Sequence, residues 1–239
     1  MRLIKTDLKE KYVQSAFSKI AKRYDLTNSL LSFGLHHFWK NFTVSQLENV
    51  SEGEFLDICS GTGDLAIKTV EKLPGGKVKA LDFCKEMIDF GKAKAVKSGL
   101  NNKIEFIHGN AENLPFEDGC FDGTTVGFGI RNVKHINKAF NEMYRVLKPE
   151  GKAVCLEFST PPSSLFKSIY LFYLSNILPV IGGLFGGDFD SYKYLSTSIK
   201  EFPNQERLKK IMEDAGFRDV KYHNLTFGIV AVHVGIKSN

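Results

Sequence analysis

LDICSGTGDLA, Leu56 to Ala66, is the stretch that decides how the chain is read. GEFLDIC, which runs into it, is apolar and short, as a buried strand is. Gly61 and Gly63 then supply a tight turn, and DLAIKTVEKL continues as a helix. Strand, glycine turn and helix make the opening unit of a doubly wound sheet. Glycine lets the backbone come close to a ligand, and the helix that follows offers free N–H groups. Such a turn could hold a dinucleotide, a phosphate, or the amino-acid end of S-adenosylmethionine.

Working outward, strand-like runs alternate with helical patterns. KVKALDF, KIEFIHG, FDGTTVGFG and KAVCLEFS read as strands; CKEMIDFGKAKAVKSG and NKAFNEMYRVLKPEG read as helices. This alternation predicts an α/β fold with a parallel sheet and helices on both faces. FRDVKYHNLTFGIVAVHVGIK adds two strand-like runs around Asn224 to Gly228, close enough to pair as an antiparallel hairpin. The expectation is a single domain over residues 1–239 with a mostly parallel seven-stranded sheet. Two pieces stand outside the pattern: a helical cap over residues 1–50 and an insertion over residues 160–203. Both should fold over the carboxyl ends of the strands, where open α/β sheets bind ligands.

Bulk properties narrow the class. The 239 residues suffice for one full core, and 43% hydrophobic with 25% charged residues is the balance of a soluble protein. The net charge of +5 comes from scattered lysines and not from an arginine-rich block, so nucleic acid is not the expected partner. Cys59, Cys84, Cys120 and Cys155 form no Cys-x-x-Cys pair, which speaks against zinc and redox motifs. The N-terminus, MRLIKTDLKEKY, is too charged for a secretory signal, so a cytoplasmic location is expected. Ser168 to Gly187 carries no charge, but Pro179 and several glycines argue against a membrane span. A buried helix of about Leu165 to Leu178 followed by an apolar loop is the expectation.

Asp82 ends the second strand, 21 residues after Gly61, and can accept both hydroxyls of a ribose. That feature suits NAD and S-adenosylmethionine alike. Three others favour the methyl donor. Asp57 before the turn could anchor an ammonium, directly or through water, and would repel a pyrophosphate. Asp64 at the helix start is again a poor neighbour for phosphate. Asn110 and Ala111, in GNAENLPF after the third strand, can meet an adenine edge, with Glu112 close by.

AFSKIAKRYDLTNSLLSFGLHHFWK, LDICSGTGDLA, GNAENLPF, FGIRNV, YRVLKPEG, LEFS and DSYKYLSTSIKEFP, in this order, resemble the ubiquinone/menaquinone biosynthesis C-methyltransferases. The resemblance implies a class I, Rossmann-like methyltransferase. It also implies S-adenosylmethionine as co-substrate, no metal, and methylation of a ring carbon of a prenylated quinol, either demethylmenaquinol or the benzoquinol of ubiquinone biosynthesis. Thr62, Asp82, Asn110 and Ala111 match the family's donor-binding positions. With Tyr24, Asp57, Gly61, Gly63, Phe83 and Gly127 they make the expected donor-binding set. Gly127 is a departure, standing where many members have serine, which removes a hydroxyl from the donor site.

For catalysis the expected residues are Arg131, Asn132, His36 and Tyr192. A guanidinium can stabilise the oxyanion of a quinol that loses its proton, or form a structural ion pair with Glu157. His36 and His37 are of a type that titrates near neutrality, and one could serve as base. Tyr192 and Tyr194 could hydrogen-bond quinol oxygens. Ile169, Phe172, Leu178, Ile181 and Phe185 could line a groove for a polyprenyl tail, and the same surface could touch a membrane peripherally. A homodimer is compatible with the sequence. Other readings stay open: a class I methyltransferase with another lipid or small phenolic acceptor, a non-catalytic donor-binding protein, or an NAD-linked oxidoreductase.

Overall fold

The computed structural model describes residues 15, 18, 24–47, 52–178, 180 and 189–239. Seven strands form one sheet in the order β3-β2-β1-β4-β5-β7-β6. They are β1 (Glu54–Ile58), β2 (Lys77–Asp82), β3 (Ile104–His108), β4 (Phe121–Gly127), β5 (Leu147–Phe158), β6 (Arg218–Leu225) and β7 (Val230–Ile236). The first five run parallel, β7 joins β5 antiparallel, and β6 pairs with β7 as the outer strand of the hairpin. The sheet is thus the one read from the sequence. One boundary differs: β5 begins at Leu147, directly after the helix, because Leu147 pairs with Phe121 ahead of a register shift in β4.

Strand alternation assigns the two faces. Leu56 and Ile58 pack in one buried cluster with Phe140 and Met143 of α5 (Ile136–Val146) and Leu208 and Met212 of α8 (Gln205–Asp214). Phe55 lies on the opposite face with Trp39 of α2 (Leu35–Ser45), Ala66 and Val70 of α3 (Asp64–Lys72) and Ala95 of α4 (Lys85–Lys97). Each such buried aliphatic or aromatic side chain contributes about 1.5–3 kcal/mol. Asp57 shares the face of Phe55, which brings a carboxylate against the start of α3. Gly63, the residue before α3, has φ +76°, and a Cβ there would stand 2.7 Å from the Phe106 ring. The glycine turn therefore lies flat on β3.

A third cluster, Tyr170, Leu174, Leu178, Tyr192 and Ile199, lies outside these two. It joins α6 (Ser164–Phe172), a π-type turn over Tyr173–Ile177, and α7 (Phe189–Glu201). Here the expectation of a buried helix needs correction. Tyr170, Leu174 and Leu178 are buried, but Leu165, Phe166, Ile169, Phe172 and Ile177 are exposed. One face of the segment packs and the other stays apolar and open. Ile181 and Phe185 fall outside the described residues. Among the described residues no helix is long and apolar enough to cross a membrane.

Candidate active site

The loops after β1 to β5 converge where the strand order reverses, between β1 and β4. A first cavity there is lined by Gly61, Asp82, Phe83, Asn110, Ala111 and Gly127. Asp82 Oδ2 accepts the Gly61 N–H at 2.8 Å and Oδ1 accepts the Cys84 N–H at 2.8 Å. Burial nevertheless keeps this carboxyl above its ordinary range, against those N–H donors. Asn110 Oδ1 accepts the Glu112 N–H at 2.9 Å, and Glu112 Oε1 accepts the His135 N–H at 2.9 Å. That pair ties the loop after β3 to the start of α5. A Cβ on Gly129 would lie 2.3 Å from Cys59 Cβ, so the loops after β1 and β4 approach more closely than a side chain permits.

Asp57, Thr62 and Gly63, of the expected donor set, lie outside this lining. Asp57 accepts Thr125 Oγ1 at 2.8 Å and the Ala66 N–H at 3.2 Å, and burial pushes its carboxyl up to about 7 despite both bonds. Thr62 Oγ1 donates to Asp25 Oδ1 at 2.7 Å. Gly63 sits on Phe106. Tyr24 opens α1 (Tyr24–Leu31), and its side chain is outside the described residues. At Gly127 the space is already taken: a Cβ would stand 2.6 Å from Leu65 Cδ1. The glycine pairs with a leucine that occupies the place of a side chain.

Around Thr62 runs a chain of charges that the sequence did not reveal. Asp25 of α1 accepts Lys94 Nζ at 2.6 Å, Lys94 of α4 also pairs with Asp64, and Asp64 pairs with Lys40 of α2. Burial alone would raise the Asp64 carboxyl, but Lys40 and Lys94 hold it well below the usual carboxylate range. The network fastens α1 and α2 to the glycine turn and to α4.

A second cavity, of about 410 Å3, adjoins the first and is walled by α1, α2, residues 158–178, α7 and the β6–β7 loop. Arg131, Asn132, His36 and Tyr192 all lie on its wall. Arg131 Nη1 donates to Glu157 Oε1 at 2.8 Å and to the Phe128 carbonyl, and its guanidinium lies 5.5 Å from the Phe158 ring centre. The Glu157 ion pair is therefore formed, and Arg131 also lines the cavity. Burial raises the Glu157 carboxyl in spite of that cation. Tyr194 donates its hydroxyl to Asn132 Oδ1 at 3.1 Å. His36 is buried, with Nδ1 3.3 Å from Ser32 Oγ. Burial, then the charges of Lys40 and His37, lowers its imidazole to about 4. His36 is thus neutral at physiological pH, a correction to the sequence expectation of titration near neutrality.

Phe128 and Asn132 line both cavities. Phe128 has φ +58°, uncommon for a residue with a side chain. Its N–H donates to the Leu156 carbonyl at 2.8 Å, and its ring meets Trp39 edge-on at 6.0 Å and Phe158 at 4.6 Å. The sequence reading passed over Phe128 and Trp39; a phenylalanine between two glycines in GFG was the signal for a strained wall. At the rim, Phe33 (φ +50°, 83% exposed) and Phe227 (φ +58°, 71% exposed) also hold left-handed backbone. Among the described residues no group of three or more His, Cys, Asp or Glu is placed to hold a metal ion.

The family model for the ubiE/COQ5 methyltransferase family matches residues 5–237. The ubiquinone/menaquinone biosynthesis C-methyltransferase UbiE of Geotalea uraniireducens (strain Rf4) is 44% identical over 236 residues, 98% of this chain and 100% of that protein. The 2-methoxy-6-polyprenyl-1,4-benzoquinol methylase, mitochondrial, of Oryza sativa subsp. japonica is 41% identical over 247 residues, 96% of this chain and 84% of that one. Among solved structures, a SAM-dependent methyltransferase of Thermotoga maritima superposes with a TM-score of 0.64 at 19% identity, covering 94% of this chain and 99% of that one. That last likeness speaks to the fold. Taken with the match along nearly the whole length, these findings mean that the chain belongs to the ubiE/COQ5 methyltransferase family.

Proposed function

We propose that the chain transfers a methyl group from S-adenosylmethionine to a ring carbon of a prenylated quinol, a naphthoquinol or a benzoquinol. The observation behind this reading is the seam between the cavities: one at the strand ends, which carries Asp82 and Asn110, and a more apolar one share Phe128 and Asn132. A methyl donor in the first and an aromatic acceptor in the second would face each other there. The fit of the donor rests on Asp82, a carboxylate at the end of β2 that suits ribose hydroxyls. Phe83, Asn110 and Ala111 fit an adenine on the same wall. Asp57 would act on the ammonium from beneath the turn, through water. When bound, S-adenosylmethionine supplies an electrophilic methyl on a sulfonium.

The chain's own residues must then make the acceptor carbon nucleophilic. A quinol that loses a phenolic proton spreads negative charge from oxygen onto the neighbouring ring carbon. Arg131, held in place by Glu157 and the Phe128 carbonyl, offers a fixed cation to that oxygen. The apolar wall excludes water, and charge neutralisation along the path favours a dry site. Residues 24–47 serve as the cap, and the segment around α6 and α7 covers the acceptor and its tail, with Ile169 and Leu178 on the wall. Phe33 and Phe227 at the rim form a peripheral contact with the bilayer from which a prenylated acceptor is drawn.

The test supplies purified protein with labelled S-adenosylmethionine and a short-chain quinol, under reducing and under oxidising conditions. Label should enter the ring carbon under reducing conditions alone. Arg131→Ala should lose far more turnover than donor affinity. Transfer to a lipid headgroup or simple phenol in preference to quinols would replace this reading with another acceptor.

A further inference from the structure

We propose that Tyr170 is a further catalytic residue, whose hydroxyl donates a hydrogen bond to the quinol oxygen on which negative charge gathers, alongside Arg131. The inference rests on the reading of the second cavity as the acceptor site. Tyr170 lies on α6, is 7% exposed, and lines that cavity together with Arg131. Its hydroxyl oxygen is buried and has no hydrogen-bond partner among the described residues. The cluster it belongs to offers chiefly aliphatic neighbours, Leu174, Leu178 and Ile199. A buried hydroxyl left unpaired is destabilising, and phenylalanine would fill the same volume without that cost. Of the two tyrosines on the acceptor wall that the sequence had offered, Tyr192 and Tyr194, the second spends its hydroxyl on Asn132.

Charge and geometry fit a donor to an oxyanion. Arg131 and Glu157 are near enough to bear on the ionisation of Tyr170, and burial raises its phenol above the ordinary value. The group therefore keeps its proton at working pH and acts as a donor, not as a base. Guanidinium and phenol together present two donors of different kinds to one oxygen. The hydroxyl is closed to water, so an acceptor oxygen reaches it as the side chains around it give way. No proton changes hands in this contact.

Tyr170→Phe decides the matter through readouts that a structural role would move differently. Donor affinity by calorimetry should stay within about twofold, and the unfolding temperature should hold or rise, since an unpaired group is removed. Turnover of a reduced quinol should fall about 100-fold, the usual scale for one oxyanion donor. Bound 2-hydroxy-1,4-naphthoquinone, a coloured phenol analogue, should ionise about one pH unit higher in the variant than in the wild type. Unchanged turnover, or unchanged ionisation of the probe, overturns the proposal. A variant that fails to fold overturns it too, because the hydroxyl would then be structural. Absence of methyl transfer to quinols by the wild type would instead sink the proposed function, and the probe would still judge Tyr170.

Discussion

Asp57 is kept at a cost that can be measured. Its carboxyl is raised from 3.8 to about 7, roughly three pH units, because burial outweighs the bonds from Thr125 and Ala66. At about 1.36 kcal/mol per unit this comes to about 4 kcal/mol. Below the ordinary carboxyl value, folded and unfolded chains both hold the proton, and Asp57 has no pH-dependent effect. Between 3.8 and about 7 the unfolded chain ionises while the folded one keeps its proton, so stability falls as pH rises. Above that window the penalty is constant. Asp57→Asn keeps the neutral form throughout, with an amide N–H2 that finds a poorer partner and costs about 1 kcal/mol. Urea unfolding should therefore find the variant slightly less stable at about pH 4 and more stable by about 3 kcal/mol at about pH 8. Donor affinity at the higher pH should drop about tenfold if the carboxylate serves the donor's ammonium, an exchange of stability for function. A stability difference that does not change with pH would refute the reasoning.

Three further outcomes follow from the geometry. Gly127→Ser must push the end of the buried Leu65 aside and should cost about 1–3 kcal/mol in urea unfolding; combined with Leu65→Ala it should cost less than the sum of the two single changes, and additivity would contradict the contact. Lys94→Met removes the cation shared by Asp25 and Asp64, about 1–2 kcal/mol after solvent screening. Amide exchange should then speed in residues 24–31 and stay unchanged in β1, whereas uniform acceleration would count against a local fastening. Phe33→Ser with Phe227→Ser should leave donor affinity intact, weaken binding to lipid vesicles, and raise KM for long-tailed acceptors far more than for short-chain ones. An equal change for both acceptors would remove the rim from the account.

Much of the fold was legible because strands declare themselves locally. GEFLDIC, KVKALDF and KAVCLEFS are apolar runs bounded by turn residues, and the hairpin around Asn224 to Gly228 lies within a single stretch. The wall of the first cavity was legible for the same reason: Asp82 ends β2, Asn110 and Ala111 stand just past β3, and the topology then collects them. What stayed hidden depends on contacts between distant residues. Nothing in the sequence joins Asp25 to Lys94 or Lys40 to Asp64, and Thr62 turns to Asp25 because α1 happens to lie across it. The depressed imidazole of His36 follows from burial that α2 acquires in the folded chain. The open face of α6 reads as core by composition, since leucine and phenylalanine look alike whether they face a protein or a rim.

The seam at Phe128 and Asn132 has a consequence for how such proteins diversify. The first cavity is made by strand-end loops, whereas the second is walled largely by helices and loops beyond the sheet. If the first cavity takes the donor and the second the acceptor, as proposed, an exchange of residues 160–203 between relatives would shift acceptor preference and leave the donor half unaltered. The splice holds as long as two neighbours, an aromatic ring on a left-handed residue and an amide, continue to mark the border.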